Sequence, residues 1–99
     1  MNLNTTAEGS KITVEVEGRV DTTTSTALAN ELDEVIPNAE TIILDLEKLL
    51  YISSAGLRVL LSTHKAMSKK GGSLIVKNVC ADVMEIFEIT GFSSILDIR

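Results

Sequence analysis

Apolar and polar residues alternate along the first strongly patterned segment of the chain. Ile12, Val14 and Val16 are apolar and the residues between them are polar, a spacing that predicts a β-strand with one face toward solvent. Three shorter apolar runs predict further strands, at residues 41–46, 73–77 and 95–98. The run at 41–46 is apolar at consecutive positions, which is typical of a strand covered on both faces. Residues 47–52 are predicted to form a short link.

Three other segments place their inward-facing residues with the period of an amphipathic α-helix. The inward positions are Leu28, Leu32, Val35 and Ile36 in the first, Leu57, Leu60, Leu61, His64 and Met67 in the second, and Val83, Met84 and Phe87 in the third. Asp21, or a threonine after it, is expected to cap the first helix, and Pro37 is expected to end it. Strands that alternate with helices after an opening pair predict a single α/β domain over residues 1–99. Its helices would pack on a mixed, mostly parallel sheet of about five strands.

The charge and composition narrow the set of partners. A formal net charge of −5 argues against nucleic acid and against an anionic membrane surface, because both attract basic proteins. The N-terminus lacks a basic segment followed by an apolar run, and the apolar stretches are too short to span a bilayer. Cys80 is the one cysteine, which excludes an internal disulfide and fits a reducing compartment. We expect a cytoplasmic monomer with no membrane partner, no metal and no cofactor.

The motifs of common enzyme classes are absent from the sequence. There is no glycine-rich phosphate loop, and no Gly-x-Ser-x-Gly pattern surrounds Ser54. His64 is separated from Ser54 by about 15 Å of helix rise along the second predicted helix, which is too far for a general base. We therefore expect a protein that is not an enzyme. Nucleotide binding or hydrolysis is the weaker alternative, because the phosphate loop is missing.

The segment Tyr51-Ile52-Ser53-Ser54-Ala55-Gly56-Leu57 has two interpretations. Serines before a helix are ordinary N-caps, and Asp21 has the same interpretation before the first helix. A serine at the start of a helix that follows a parallel strand is also exposed, and its surroundings tolerate an added phosphate. The residue pattern leaves both interpretations open at Ser53, Ser54 and Asp21.

Three segments together resemble one known family. Residues 45–61 resemble the signature segment of the STAS family, specifically of its anti-sigma factor antagonists. Residues 18–21 resemble the family's earlier Gly-x-hydrophobic-Asp element, and residues 81–92 resemble its third helix and turn. On this resemblance Ser54 aligns with the phosphoacceptor serine. Ser53, where many members have aspartate, is the second choice.

The resemblance also implies partners and a binding surface. An anti-sigma factor serine kinase would be sequestered while Ser54 is unphosphorylated and released after phosphorylation, and a metal-dependent serine phosphatase would reverse the modification. The expected partner-binding residues are Asp21, Thr22, Thr23, Ser53, Ala55, Gly56 and Arg58. Ala55 and Gly56 are expected to permit close approach of a partner's backbone. The alternative is a STAS scaffold, or a subunit of a signalling or lipid-transport complex, without cycling at Ser54.

Overall fold

Six β-strands, three α-helices and two short 3-10 helices follow one another in the computed structural model, which describes residues 1–99. The strands are β1 (Asn2–Glu8), β2 (Lys11–Val20), β3 (Thr41–Asp45), β4 (Leu49–Ile52), β5 (Ser73–Lys77) and β6 (Asp97–Ile98). The α-helices are α1 (Thr24–Val35), α2 (Ser54–Lys69) and α3 (Ala81–Thr90), and the 3-10 helices are Ile36–Asn38 and Phe92–Ser94. The predicted end of the first helix before Pro37 is confirmed.

The strands form one mixed sheet in which every pairing except the first is parallel. β1 and β2 make an antiparallel hairpin, and β2, β3, β5 and β6 follow side by side in parallel. β2 is long enough to pair twice, first with β3 and then, beyond a register shift between Gly18 and Arg19, with β4. The predicted mixed, mostly parallel sheet is therefore confirmed, with six strands where about five were expected.

Three strands differ from the predicted positions, each for an identifiable reason. Residues 47–52, predicted as a link, contain β4, whose four residues Leu-Leu-Tyr-Ile show no polar alternation. β1 was part of the expected opening pair but could not be located, because its residues are almost all exposed and polar. The predicted strand at residues 95–98 shortens to Asp97–Ile98, because a 3-10 helix occupies the chain just before it.

The hydrophobic core lies on one face of the sheet. In-register neighbours Val14, Leu44 and Val76 are fully buried and belong to one core cluster with the inward residues of all three α-helices. The next row, on the opposite face, contains Ile43 and Ile75, and neither belongs to that cluster. Ile43 is nevertheless buried, as are Ile42 and Leu44 on either side of it, so the predicted burial of this strand on both faces is confirmed for its three central residues.

The inner face of α2 includes a threonine that the apolar pattern missed. Thr63 is buried, whereas His64, predicted to face inward, is half-exposed. The Thr63 hydroxyl donates a hydrogen bond of 2.9 Å to the Val59 carbonyl, one turn earlier in the helix. Because this bond satisfies the hydroxyl, a polar residue can occupy the core position.

Candidate partner-binding and phosphorylation site

The candidate site forms where β2 and β4 end side by side. Val20 and Ile52 are partners in the parallel register, and the backbone N–H of Ser53 donates to the carbonyl of Val20 at 2.8 Å. Asp21 follows β2 directly, and Ser53 follows β4. The carboxyl ends of parallel strands meet at one edge of a sheet, so two segments that are distant in sequence become neighbours.

Ser53 acts as the N-cap of α2. Its hydroxyl oxygen accepts a hydrogen bond of 3.3 Å from the backbone N–H of Gly56, and its carbonyl accepts one of 2.9 Å from Leu57. The residue is half-buried. The ordinary capping role that the sequence allowed at the start of α2 therefore belongs to Ser53.

Ser54 is the first residue of α2, and its environment differs from that of Ser53. The residue is exposed, and its hydroxyl has no hydrogen-bond partner in the protein. A hydroxyl in this position is accessible to another protein and is free to react without breaking a contact of the fold. The two adjacent serines thus have separate roles in the geometry, one as a cap and one as an open hydroxyl.

Asp21 organises the turn that leads into α1. Its Oδ1 accepts hydrogen bonds from the backbone N–H groups of Thr23 and Thr24, at 2.9 and 2.8 Å. Its own backbone N–H donates to the Thr24 hydroxyl at 2.8 Å, and its carbonyl accepts from Ser25 at 2.9 Å. This reciprocal pattern is that of a capping box, with threonine in the place of glutamate. Asp21 thus takes the predicted capping role through the turn that leads into α1, while Thr23, the residue directly before the helix, makes no side-chain cap hydrogen bond.

The same contacts favour the charged form of Asp21. The hydrogen bond from the Thr24 backbone N–H lowers the pKa of the Asp21 carboxyl below its ordinary value, with further lowering by the Thr24 hydroxyl, the Thr23 N–H and the charge of Arg19. Partial desolvation opposes this shift without reversing it. A fixed negative charge therefore stands beside the strand end that leads to Ser54.

Gly56 contributes to packing within the domain rather than to its surface. It is buried, and a Cβ added there would lie 2.6 Å from Cγ1 of Ile52 and 2.7 Å from Cγ1 of Val20. No other residue fits without a shift of these side chains. From the sequence, Gly56 was expected to let a partner's backbone approach. In the structure, the absence of a side chain instead lets α2 pack against the ends of β2 and β4.

The other residues of the expected surface vary in exposure. Thr22 and Thr23 are exposed on the turn after Asp21, Ala55 is half-buried in the first turn of α2, and Arg58 is exposed one turn later. Thr22, Thr23, Ser54 and Ala55 carry no charge. The residues next to Ser54 are therefore mainly uncharged, with one negative charge at Asp21 and one positive charge at Arg58.

One pair of residues beside the site escaped the sequence analysis. The guanidinium of Arg19 lies 4.5 Å from the centroid of the Tyr51 ring, a cation–π contact between cross-strand partners of β2 and β4. Both residues lie within the motifs that the analysis singled out. Their contact depends on the register shift after Gly18, which the sequence pattern does not reveal.

No group of three or more His, Cys, Asp or Glu side chains is arranged to hold a metal ion. None of the helices combines the length and the apolar character that a bilayer crossing requires. Cys80 is free and half-buried, and its thiol contacts the Leu49 carbonyl at 3.5 Å.

Comparison with known families decides the relationship. The STAS domain family matches residues 2–99. This chain belongs to the STAS domain family. The resemblance carried by residues 18–21, 45–61 and 81–92 is thereby confirmed.

Similar proteins within the family are regulatory. The anti-sigma-B factor antagonist of Bacillus subtilis (strain 168) is 30% identical over 100 residues, which cover 99% of this chain and 92% of that protein. The anti-sigma F factor antagonist of Paenibacillus polymyxa is 32% identical over 87 residues, which cover 86% of this chain and 74% of that protein. Both are named for antagonism of another protein, a binding role rather than an enzymatic one, in agreement with the prediction that the STAS domain described here is not an enzyme.

Solved structures show the same fold. The Bacillus cell fate determinant SpoIIAA in the phosphorylated form superposes with a TM-score of 0.79 at 16% identity, over 99% of this chain and 91% of that one. At this identity the likeness concerns the fold alone, and it confirms the predicted α/β architecture.

Proposed function

We propose that this STAS domain is an anti-sigma factor antagonist whose binding is switched by phosphorylation of Ser54. In the unphosphorylated form it binds and sequesters an anti-sigma factor that is also a serine kinase. Phosphorylation of Ser54 by that kinase releases the complex, and a metal-dependent serine phosphatase restores the binding form. The names of the curated relatives support the antagonist role.

The observation that carries the proposal is the contrast between the two adjacent serines. Ser54 is exposed and its hydroxyl is free, whereas the Ser53 hydroxyl caps α2 and is half-buried. A kinase can reach the first without disturbing the helix start. Ser53 is half-buried and its hydroxyl oxygen already accepts the Gly56 N–H, so a kinase reaches it less readily. This difference favours Ser54 as the acceptor and leaves Ser53 as the second choice.

The switch follows from charge added among mainly uncharged residues. A phosphate adds roughly −1.5 to −2 charges at Ser54, close to Asp21, whose carboxyl pKa is already lowered by the Thr24 N–H. The chain as a whole carries −5. A partner that packs closely on Asp21, Thr22, Thr23, Ser53, Ala55 and Arg58 would have to desolvate and oppose this added charge. Each ~1.4 kcal/mol lost weakens binding tenfold, so a few kcal/mol suffice without any rearrangement of the fold.

The direct test is phosphopeptide mass spectrometry of the protein isolated from cells that express it naturally, beside its Ser54→Ala variant. We expect phosphate on Ser54 of the wild type and none at this position in the variant. Phosphate on Ser53 instead would assign the switch to the neighbouring residue. A complete absence of phosphate across growth conditions would favour a constitutive STAS scaffold without cycling at Ser54.

The binding step has its own test, in which the protein retained from lysate by unphosphorylated wild type is identified and its affinity measured. We expect the Ser54→Asp variant to bind this kinase at least tenfold more weakly than wild type, because the substitution introduces a charge at the same place. Equal affinities for wild type, Ser54→Asp and phosphorylated protein would contradict the proposed switch.

A further inference from the structure

Arg58 lies one helical turn after Ser54 on the same face of α2. Both residues are exposed, and their spacing of four positions brings side chains of an α-helix to about 5–6 Å between Cβ atoms. An acidic group four residues before a basic one is also the more favourable order for such a pair. A phosphate on Ser54 would therefore carry its charge to within reach of the Arg58 side chain.

The guanidinium of Arg58 is not committed elsewhere. The one ion pair in the structure joins Arg99 to Asp97 at 3.1 Å, at the far end of the chain. Asp33 lines the same groove between α1 and α2 as Arg58, yet the two form no ion pair. Arg19, the other arginine close to the site, is stacked on Tyr51. Arg58 is thus the arginine beside Ser54 that is free to accept a new anionic partner.

We propose that phosphorylated Ser54 captures the Arg58 guanidinium through hydrogen bonds to its phosphate oxygens, and that this contact withdraws Arg58 from the groove between α1 and α2. The inference rests on Ser54 being the acceptor, as proposed above. The planar fork of arginine offers two parallel N–H groups to a phosphate, a geometry that lysine lacks.

Two consequences follow for the switch. Phosphorylation changes the partner-binding surface in two ways, since it adds negative charge at Ser54 and also engages the positive charge of Arg58. The contact also makes the phosphate a poorer proton acceptor, because a neighbouring cation favours the dianionic form. The phosphate group therefore reports the contact through its own titration.

The experiment uses full-length protein in which phosphoserine is incorporated at position 54 during translation, so that no kinase is needed. The second pKa of the phosphate, about 6 for phosphoserine, is followed by ³¹P NMR in wild type and in the Arg58→Gln variant. We expect the phosphate of Arg58→Gln to titrate at a pH higher by several tenths of a unit. Arg58→Lys should give an intermediate value, since it retains the charge without the fork.

Lys65→Gln is the matched control. It removes one positive charge from the same helix, about 16 Å of helix rise from Ser54. We expect its phosphate to titrate as in the wild type. Equal shifts in Arg58→Gln and Lys65→Gln would overturn the proposal, because general charge would then explain the effect, and so would the absence of any shift in Arg58→Gln.

This result is independent of the proposed cycle in cells. Failure to find cellular phosphate on Ser54 would overturn the proposed function while the incorporated phosphoserine still reports on Arg58. An unchanged titration in Arg58→Gln would overturn only the contact. Amide NMR spectra of unphosphorylated Arg58→Gln, expected to match wild type away from position 58, verify that the exposed substitution leaves the fold intact.

Discussion

Two helices start side by side at one edge of the sheet, and they are built in different ways. At the start of α1, Asp21 uses its side chain, its N–H and its carbonyl in hydrogen bonds with Thr23, Thr24 and Ser25. The start of α2 has a single side-chain cap, a hydrogen bond of 3.3 Å from the Gly56 N–H to the Ser53 hydroxyl oxygen. The next hydroxyl, that of Ser54, has no partner in the protein. The polar groups at the start of α1 are therefore used within the fold, whereas the start of α2 has one hydroxyl, that of Ser54, that the fold does not use.

The second start is held in place by packing. Gly56 rests against Val20 and Ile52, the last residues of the two strands that bring the starts together. Close contact of α2 with these strand ends positions its first turn without employing the Ser54 hydroxyl. Apolar contacts can thus fix the start of α2 while the Ser54 hydroxyl stays free of hydrogen bonds within the protein.

The largest effect on stability is expected from Gly56→Ala. The added methyl group would lie 2.6 and 2.7 Å from the side chains of Ile52 and Val20, and overpacking of this kind costs about 2 kcal/mol. For a domain of this size we expect the melting temperature to fall by about 10 °C in a thermal denaturation measurement. Ala55→Ser, which adds one atom at the neighbouring half-buried position, is the control and should change it by less than about 3 °C. A tolerated Gly56→Ala would show that packing does not hold this helix start.

Asp21→Ala is expected to have the next largest effect. The substitution leaves the N–H groups of Thr23 and Thr24 without their acceptor, and loss of a cap should lower the melting temperature by about 5 °C. Asp21→Asn retains an acceptor and should lose less than half as much. Equal losses in the two variants would mean that the amide cannot replace the carboxylate in this turn, and that charge contributes more than capping.

Local periodicity explains which parts of this fold the sequence could predict. The alternation of Ile12, Val14 and Val16 located β2, and helical spacing located all three α-helices, because each pattern reflects one buried face. β4 and β1 could not be located in this way. β4 is too short and too apolar to show a period, and β1 is stabilised by hairpin pairing while its side chains stay in water.

The sequence identified which residues belong to the candidate site, but it predicted their structural roles only in part. The sequence motifs pointed to Asp21, Ser53, Ser54 and Gly56. The parallel pairing of β2 with β4 explains why these residues lie close together. Which serine caps α2 and which is exposed depends on the residue at which α2 begins. Helix boundaries are the least certain part of a prediction from sequence patterns. The contact of Arg19 with Tyr51 depends on a register shift, a tertiary property with no periodic signal.

Substitutions at the two serines give a third test, with smaller expected changes in melting temperature but a clear difference in phosphorylation. Ser53→Ala removes the cap of α2 and should lower the melting temperature by about 3 °C while phosphorylation of Ser54 persists. Ser54→Ala should leave the melting temperature within about 2 °C of wild type and abolish phosphorylation at this position. Thermal denaturation and phosphopeptide analysis of both variants check the pair. A reversed pattern, with Ser54 required for stability, would exchange the roles assigned to them.

The smallest effect concerns pH at the start of α1. The pKa of the Asp21 carboxyl is lowered in the folded protein, chiefly by the Thr24 N–H, relative to an unfolded value of about 3.9. A lowered folded pKa stabilises the protein above the unfolded pKa, and this contribution is lost as the pH falls through the folded value. The melting temperature of wild type should therefore exceed that of Asp21→Asn at pH 7, and the difference should shrink between about pH 5 and pH 2. Taking the difference between the two proteins removes the titration of the other carboxylates. A difference that stays constant over this range would show that the Asp21 charge contributes nothing, and that its hydrogen bonds alone distinguish the two helix starts.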